Sequence, residues 1–259
     1  MKLSETVHFD WYKKAFTFCV LLVFVWASAV ATDANVADVM VGSSQAGVFL
    51  AKFLQPDFSY LPKLVDPMVK TIQMSVLGTA VGVLVAVPLA FLATTTVTHN
   101  KALTWVFRVI LDIIRTIPTL LLAALAVAIL GIGEFTGVVT IAIFTLGVVS
   151  QLVFEAVESV DEAPIEAMTA VGANRVQVAI WAIFPQVMSQ IASYTFYAFE
   201  INVRASTVLG YVGAGGIGTI LNSQLGLFRY DRVSVVILMI LVVVIVVDFV
   251  SEMVRRRLK

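Results

Sequence analysis

One cysteine, Cys19, and two histidines, His8 and His99, are all that 259 residues offer to thiol or imidazole chemistry. A single thiol closes no disulfide within the chain, and so few soft ligands leave no cysteine or multi-histidine metal centre. Charge is scarce as well. Only 13% of residues are charged, against roughly 25% in soluble domains, and 17 Lys+Arg balance 17 Asp+Glu. Without a basic excess the composition gives nucleic acid no footing. The chain also lacks Gly-x-x-x-x-Gly-Lys-Ser/Thr, the cradle for nucleotide phosphates, so it is no P-loop ATPase. The histidines and the cysteine sit near the ends of apolar runs, with no acid, base and nucleophile set around them, which argues against an enzyme.

Apolar surface is what the chain has in excess: 60% of its residues are hydrophobic and the mean hydropathy is +0.98. Surface of that kind faces lipid. The expected fold is an all-α polytopic membrane protein of six transmembrane helices, forming one domain over residues 1–259.

Lys2, Lys13 and Lys14 precede an apolar run over 15–30. Ala29-Val30-Ala31 has the spacing of a signal-peptide cleavage site, but the run is long enough to span, and we read 15–31 as an anchor helix. The lysines place the N-terminus in the cytoplasm. Residues 32–67 set Asp33, Asp38, Asp57 and Asp66 against Lys52 and Lys63, a low positive charge that suits the outside. Within them Phe49, Leu50, Phe53 and Leu54 share a helical face.

The membrane core is expected over 68–252. Its first span, 68–96, carries Gly78, Gly82 and Pro88, small or bent positions where helices approach closely. Lys101, Arg108 and Arg115 then mark a cytoplasmic return. The next span ends near Leu130 and opens with an amphipathic turn, in which Asp112 and Arg115 can pair at i,i+3. Gly131, Gly133, Glu134 and Gly137 form an external turn before the span 135–157. The span 176–199 bears a polar stripe of Gln186, Ser189, Gln190, Ser193 and Tyr197, which either bonds neighbouring helices or lines a path. Residues 233–249 are the last span, and Arg255, Arg256, Arg257 and Lys259 hold the C-terminus inside.

Two segments stand apart from the spans. Between the fourth and fifth crossings, Asp161 is a plausible N-cap, Glu162 and Glu166 place negative charge near a helix start, and Pro164 fits its first turn. A short helix is expected over about 161–173. Gly172 is free to take positive φ, and Asn174 can cap a second helix, so the two should meet at an elbow. Counting crossings puts this loop in the cytoplasm. It is acidic, and Arg175 is its one base. The second segment is 200–218, where Gly213, Gly215 and Gly218 spell G-x-G-x-x-G with no βαβ unit around them. Gly210, Gly213, Gly215, Gly216 and Gly218 read instead as a tight re-entrant turn. Arg204 either contacts an anion or pairs with Glu200.

Glu166, Ala167, Gly172 and Pro185 fall in register with the loop pattern of ABC-importer permeases: Glu-Ala-Ala, three residues, Gly, nine residues, Ile-x-Leu-Pro. Met168, Ala182 and Phe184 depart from it, apolar for apolar. The 200–218 run, Pro56 to Leu61, Thr71-Ile72-Gln73-Met74 and Arg115-Thr116-Ile117-Pro118 resemble the phosphonate group of that family, although Thr119 stands where an acid is common. The resemblance covers residues from about 56 to 255. It implies a type I ABC-importer permease in the cell inner membrane, working as a homodimer or beside a second permease copy. Cytoplasmic ATP-binding subunits would carry ATP and Mg, an extracytoplasmic substrate-binding protein would deliver cargo, and this chain would hold no cofactor. The resemblance makes 161–173 a coupling helix that meets the ATPase through Glu166, Ala167, Gly172 and Arg175. It places Gln186, Ser189, Gln190, Ser193 and Arg204 along the translocation path and the glycine turn at a gate. The implied cargo is a small oxyanion, phosphonate foremost, with phosphite and phosphate esters open. The competing reading is a secondary transporter or channel using Asp112, Glu200 or Asp248.

Overall fold

Lipid offers backbone groups no water to pair with, so a chain this apolar must bond along itself. The computed structural model describes residues 11–32, 46–47 and 49–258, and these are helical with no strand among them. The expectations for Lys2, His8, Asp33, Asp38 and Lys259 lie outside the described residues. The chain divides into two units, residues 1–54 and 55–259.

In the first unit, α1 (Trp11–Ala31) begins four residues before the expected anchor and buries none of its side chains. A helix apolar on every side suits lipid contact. At 49–53 a short helical segment stacks Phe49 on Phe53, with ring centroids 5.6 Å apart.

The second unit holds α2 (Pro62–Leu92), α3 (Lys101–Thr116), α4 (Thr119–Leu130), α5 (Glu134–Glu158), α6 (Ala163–Ala170), α7 (Phe184–Leu209), α8 (Ile217–Gly226) and α9 (Tyr230–Leu258). Helix α1, helices α2, α5 and α9, and the stretch Arg175–Val212 containing α7 are each long and apolar enough to cross a membrane. Helices α3 and α4 qualify only together, bent by 92°, and give a sixth crossing where the bent pair counts as one span. The sequence reading takes this stretch as one span ending near Leu130 with an amphipathic first turn, and marks no break in it. Instead Ile117 is extended, at φ −73 and ψ 120, because the residue before Pro118 is driven out of the helical region. Asp112 and Arg115 do pair, at 3.7 Å, on α3.

Other ends also differ from the sequence reading. Helix α2 starts at Pro62, so residues 62–67 of the expected external segment are helical, while α7 runs on to Leu209 and α9 to Leu258. Hydropathy marks the lipid-buried part of a helix, whereas its ends are set by caps, and α2 opens on a proline whose missing N–H costs nothing there.

Helices α2 and α5 form the most extensive pairing. A Cβ at Gly78 would stand 2.6 Å from Ile141 Cγ2, so the backbones meet only because glycine is there. Helix α7 packs against both, around Ala86, Ala90, Val149, Val153, Ile183 and Val187. A polar thread runs through this apolar interface. The buried Asn202 Nδ2 donates to Thr79 Oγ1 at 2.8 Å and to Thr145 Oγ1 at 2.7 Å, and the Ser75 and Ser206 hydroxyls bond at 2.8 Å. Such bonds average about 0.6 kcal/mol in membranes, so they fix the register of α2, α5 and α7 more than they stabilise it.

Candidate functional site

The elbow lies at the end of the second unit where α2 and α5 finish. Asp161 accepts the Ala163 N–H at 3.1 Å, but Glu162 is the N-cap and makes no side-chain bond. Helix α6 is therefore shorter than the expected 161–173. Pro164 and Glu166 occupy its first turn. Gly172 follows at φ +82, with nothing within 4 Å of an added Cβ, so its backbone angle rather than crowding calls for glycine. Asn174 Oδ1 accepts the Gln177 N–H at 2.9 Å, and Gln177 Oε1 accepts the Asn174 N–H at 2.8 Å. This capping box starts the helical turn Arg175–Val178. A wider π turn, Ala179–Ile183, leads into α7, where Pro185 has no N–H to donate backwards.

Two ties hold the elbow to the bundle. The Asp161 N–H donates to Gln186 Oε1 at 3.0 Å while Gln186 Nε2 donates to Ala182 O at 2.8 Å. Arg175 Nη1 donates to Thr98 O at 3.1 Å, reaching the helical turn Thr95–Thr98. Ile165, Met168 and Ala173 pack inward on the core. Glu166, Ala167 and Gly172 are exposed, and Val171 is 80% exposed. This leaves a loop anchored at two points, with an exposed acidic and apolar face.

Along α7, Ser189 and Gln190 are exposed and Ser193 is half-buried, a polar edge that the described residues do not cover. Gln186 differs from its companions in the stripe, because its amide is engaged by the elbow. Arg204, 49% exposed, donates from Nη2 to Glu200 Oε1 at 2.6 Å and to Asp248 Oδ2 at 2.7 Å. Glu200 Oε2 also accepts from Arg255 Nη2 at 3.0 Å. The sequence anticipated the Glu200 pair, but the arms from α9 were not visible in it.

At the opposite end of the unit, α7 closes in a 3₁₀ turn, Gly210–Val212, and the chain turns back into α8. Gly213 O accepts the Gly133 N–H at 3.0 Å, Thr71 Oγ1 accepts the Ile217 N–H at 2.8 Å, and Ala214 is fully buried. A Cβ on Gly216, which sits at φ +74, would stand 2.6 Å from Thr71 Oγ1. The glycine turn is thus packed against Thr71, Gly133 and Glu134 of the neighbouring helices and turn. No strand precedes its G-x-G-x-x-G string among the described residues. Beside the turn a cavity of about 400 Å³ is lined by Lys70, Glu134 and glycine backbone, with Lys70 Nζ 3.1 Å from Glu134.

Residues 78–259 match the family described as binding-protein-dependent transport system inner membrane component. The chain belongs to this family of permeases. It is 38% identical over 206 residues to the phosphite transport system permease protein PtxC of Stutzerimonas stutzeri, covering 80% of this chain and 75% of that one. It is 40% identical over 114 residues to the putative cryptic phosphonate transport system permease protein PhnE2 of Escherichia coli K12, covering 44% of this chain and 93% of that one. Among solved structures it superposes on a chain of the inward-facing MetNI methionine ABC transporter with TM-score 0.67 at 22% identity, covering 76% of this chain and 96% of the other. The permease therefore has the type I ABC-importer fold and is a multi-pass inner-membrane subunit of an ATP-driven importer, not an enzyme. Permeases of this kind work with a separate ATPase and a substrate-binding protein. The secondary-transporter reading falls with this assignment, and all three of its carboxylates, Asp112, Glu200 and Asp248, pair with arginines.

Proposed function

We propose that the permease imports a small phosphorus oxyanion, phosphonate or phosphite in type, by alternating access. Two copies would face each other across the path, two ATP- and Mg-binding subunits would lie on the cytoplasmic side, and a binding protein would present cargo outside. Both termini are then cytoplasmic, α1 is a retained anchor, and α6 is the coupling helix, meeting the ATPase through Glu166, Ala167, Gly172 and Arg175. The observation that carries this reading is mechanical. The elbow, fixed by its capping box and by the Gln186 and Arg175 ties, continues without a loop into α7. That helix bears the polar edge of Ser189, Gln190 and Ser193, as well as Arg204. A push on α6 therefore reaches the path helix and, at its far end, the gate turn of Gly210, Gly213, Gly215, Gly216 and Gly218, so that binding energy on one side biases a two-state arrangement on the other. The names of the relatives support the cargo class, and an arginine on the path helix suits an oxyanion.

The test is ATP-dependent uptake of labelled phosphonate and phosphite in proteoliposomes holding permease, ATPase and binding protein. Glu166→Arg is expected to lower both ATPase co-purification and uptake by about tenfold, equivalent to 1.4 kcal/mol. Arg204→Ala should lower uptake while leaving ATPase association intact. Equal loss of both on Arg204→Ala would make that arginine structural, and full uptake with Glu166→Arg would remove α6 from coupling.

A further inference from the structure

A second cavity, about 220 Å³, opens between α6, the turn Thr95–Thr98 and the turn Arg175–Val178. Its polar lining is Thr96, His99, Thr169 and Arg175, and its apolar floor includes Ile165 and Val178. The loop around it carries Glu155, Glu158, Asp161, Glu162 and Glu166, yet no carboxylate among the described residues lines the cavity or pairs with Arg175. Arg175 gives one N–H to Thr98 O, and the rest of its planar fork of five donors has no acid to meet. His99 Nδ1 lies 3.3 Å from Val97 O. An unpaired arginine, an imidazole and a threonine hydroxyl around a small concavity match the charge and forked geometry of phosphate. The volume is below the roughly 300–1,000 Å³ of pockets for drug-sized ligands, which favours a small oxyanion over a nucleotide.

We propose that this cavity binds a phosphate-type anion on the elbow, supplied either as free oxyanion or as a lipid headgroup. Placing it on the cytoplasmic side rests on the import reading; the binding itself does not. An anion that joins Arg175 and Thr96 links the elbow to the turn after α2, so accumulated cargo or local lipid would stiffen the lever.

The test is equilibrium dialysis of labelled inorganic phosphate against the full-length permease in neutral detergent. A parallel arm uses native mass spectrometry of phosphatidic acid retained from phosphatidylcholine nanodiscs. Arg175→Gln is expected to weaken binding about tenfold, Thr96→Val several-fold, and Arg175→Lys less than Arg175→Gln, because Lys keeps the charge but loses the fork. Arg256→Gln, at an arginine that pairs with Glu252 on α9, should leave this site unchanged. Phosphate binding that follows Arg175 and Thr96 identifies free oxyanion. Loss of retained phosphatidic acid alone identifies the headgroup. If neither anion responds to Arg175→Gln and Thr96→Val, the site does not exist. Binding lost only with Arg204→Ala overturns it too, while leaving the path reading intact. Conversely, absent uptake with phosphate binding still dependent on Arg175 overturns the import reading and not this one.

Discussion

Gly172 separates two reasons for keeping a glycine. Its surroundings are empty, so any side chain fits, but φ +82 is a conformation that costs an ordinary L-residue roughly 1–2 kcal/mol. Asn enters that region more readily than β-branched residues do. Gly172→Asn should therefore keep ATP-dependent uptake near wild type, whereas Gly172→Val should reduce it several-fold at unchanged membrane yield. Equal uptake by the two would show that the elbow does not depend on this backbone angle. Asp57 is another residue whose role comes from its neighbours. Its carboxylate accepts from the Ser59 hydroxyl and N–H and from Arg232, whose guanidinium also stands 4.7 Å over the Tyr60 ring. These bonds, the Ser59 hydroxyl foremost, hold the Asp57 carboxyl below its ordinary range. A depressed folded value means the clasp contributes fully above the unfolded pKa and is lost as pH falls through the folded one. The stability difference between wild type and Asp57→Asn should hold from pH 7 to 5 and shrink below about pH 4. Thermal unfolding of the two proteins in detergent measures it, and a difference that widened on acidification would contradict the assignment.

Between elements, the clasp joining α7 to α9 depends most on Glu200. Its side chain is only 14% exposed and bonds Arg204 with one oxygen and Arg255 with the other. Glu200→Gln takes one carboxylate from each of two cations but leaves Arg204 with Asp248 and Arg255 with Glu252, so its cost falls below the about 3–5 kcal/mol of stranding a buried charge. Arg204 is half-exposed, so water recovers part of that cost. Arg256→Gln breaks only a surface pair with Glu252, worth about 0–1 kcal/mol. Glu200→Gln should therefore lower the melting temperature well beyond Arg256→Gln, and equal shifts would mean that the clasp carries no load. The Glu200–Arg204 pair was legible in the sequence because it is local, four residues apart on one helix. Asn174 as a cap and Gly172 as the elbow were legible for the same reason. Asp248 and Arg255 were not visible as partners, since only the packing of α9 on α7 brings them there. Asn202 did give a signal, an amide within a predominantly apolar helix, but its partners Thr79 and Thr145 come from two other helices. The bend at Pro118 was written in the Ile-Pro step and was obscured by continuous hydropathy across it.

For the whole molecule, the reading depends on rigid rotation being passed from the elbow to the gate turn along α7. The π turn Ala179–Ile183 sits in that line and sets the rotational phase of α6 against the polar edge. A π turn already absorbs one residue more than α-helical pitch requires, so inserting one further alanine there should turn the elbow by about 100° relative to α7. The alanine goes after Trp181, which is 71% exposed, so the insertion disturbs little buried surface. The membrane bundle, packed through Ile183 and Val187 on the α7 side, should remain folded with a near-normal melting temperature. The coupling face would be re-aimed, breaking the Gln186 and Arg175 ties. Uptake is then expected to fall at least tenfold, with ATPase activity that no longer responds to the loaded binding protein. An insertion that left uptake intact would show that α6 is connected to the path by a flexible hinge, and the transmission argued from the elbow geometry would fail. An insertion that abolished folding would show instead that the π turn belongs to the core, and deleting Trp181, which restores α pitch with the flanking phase kept, is expected to leave uptake near wild type.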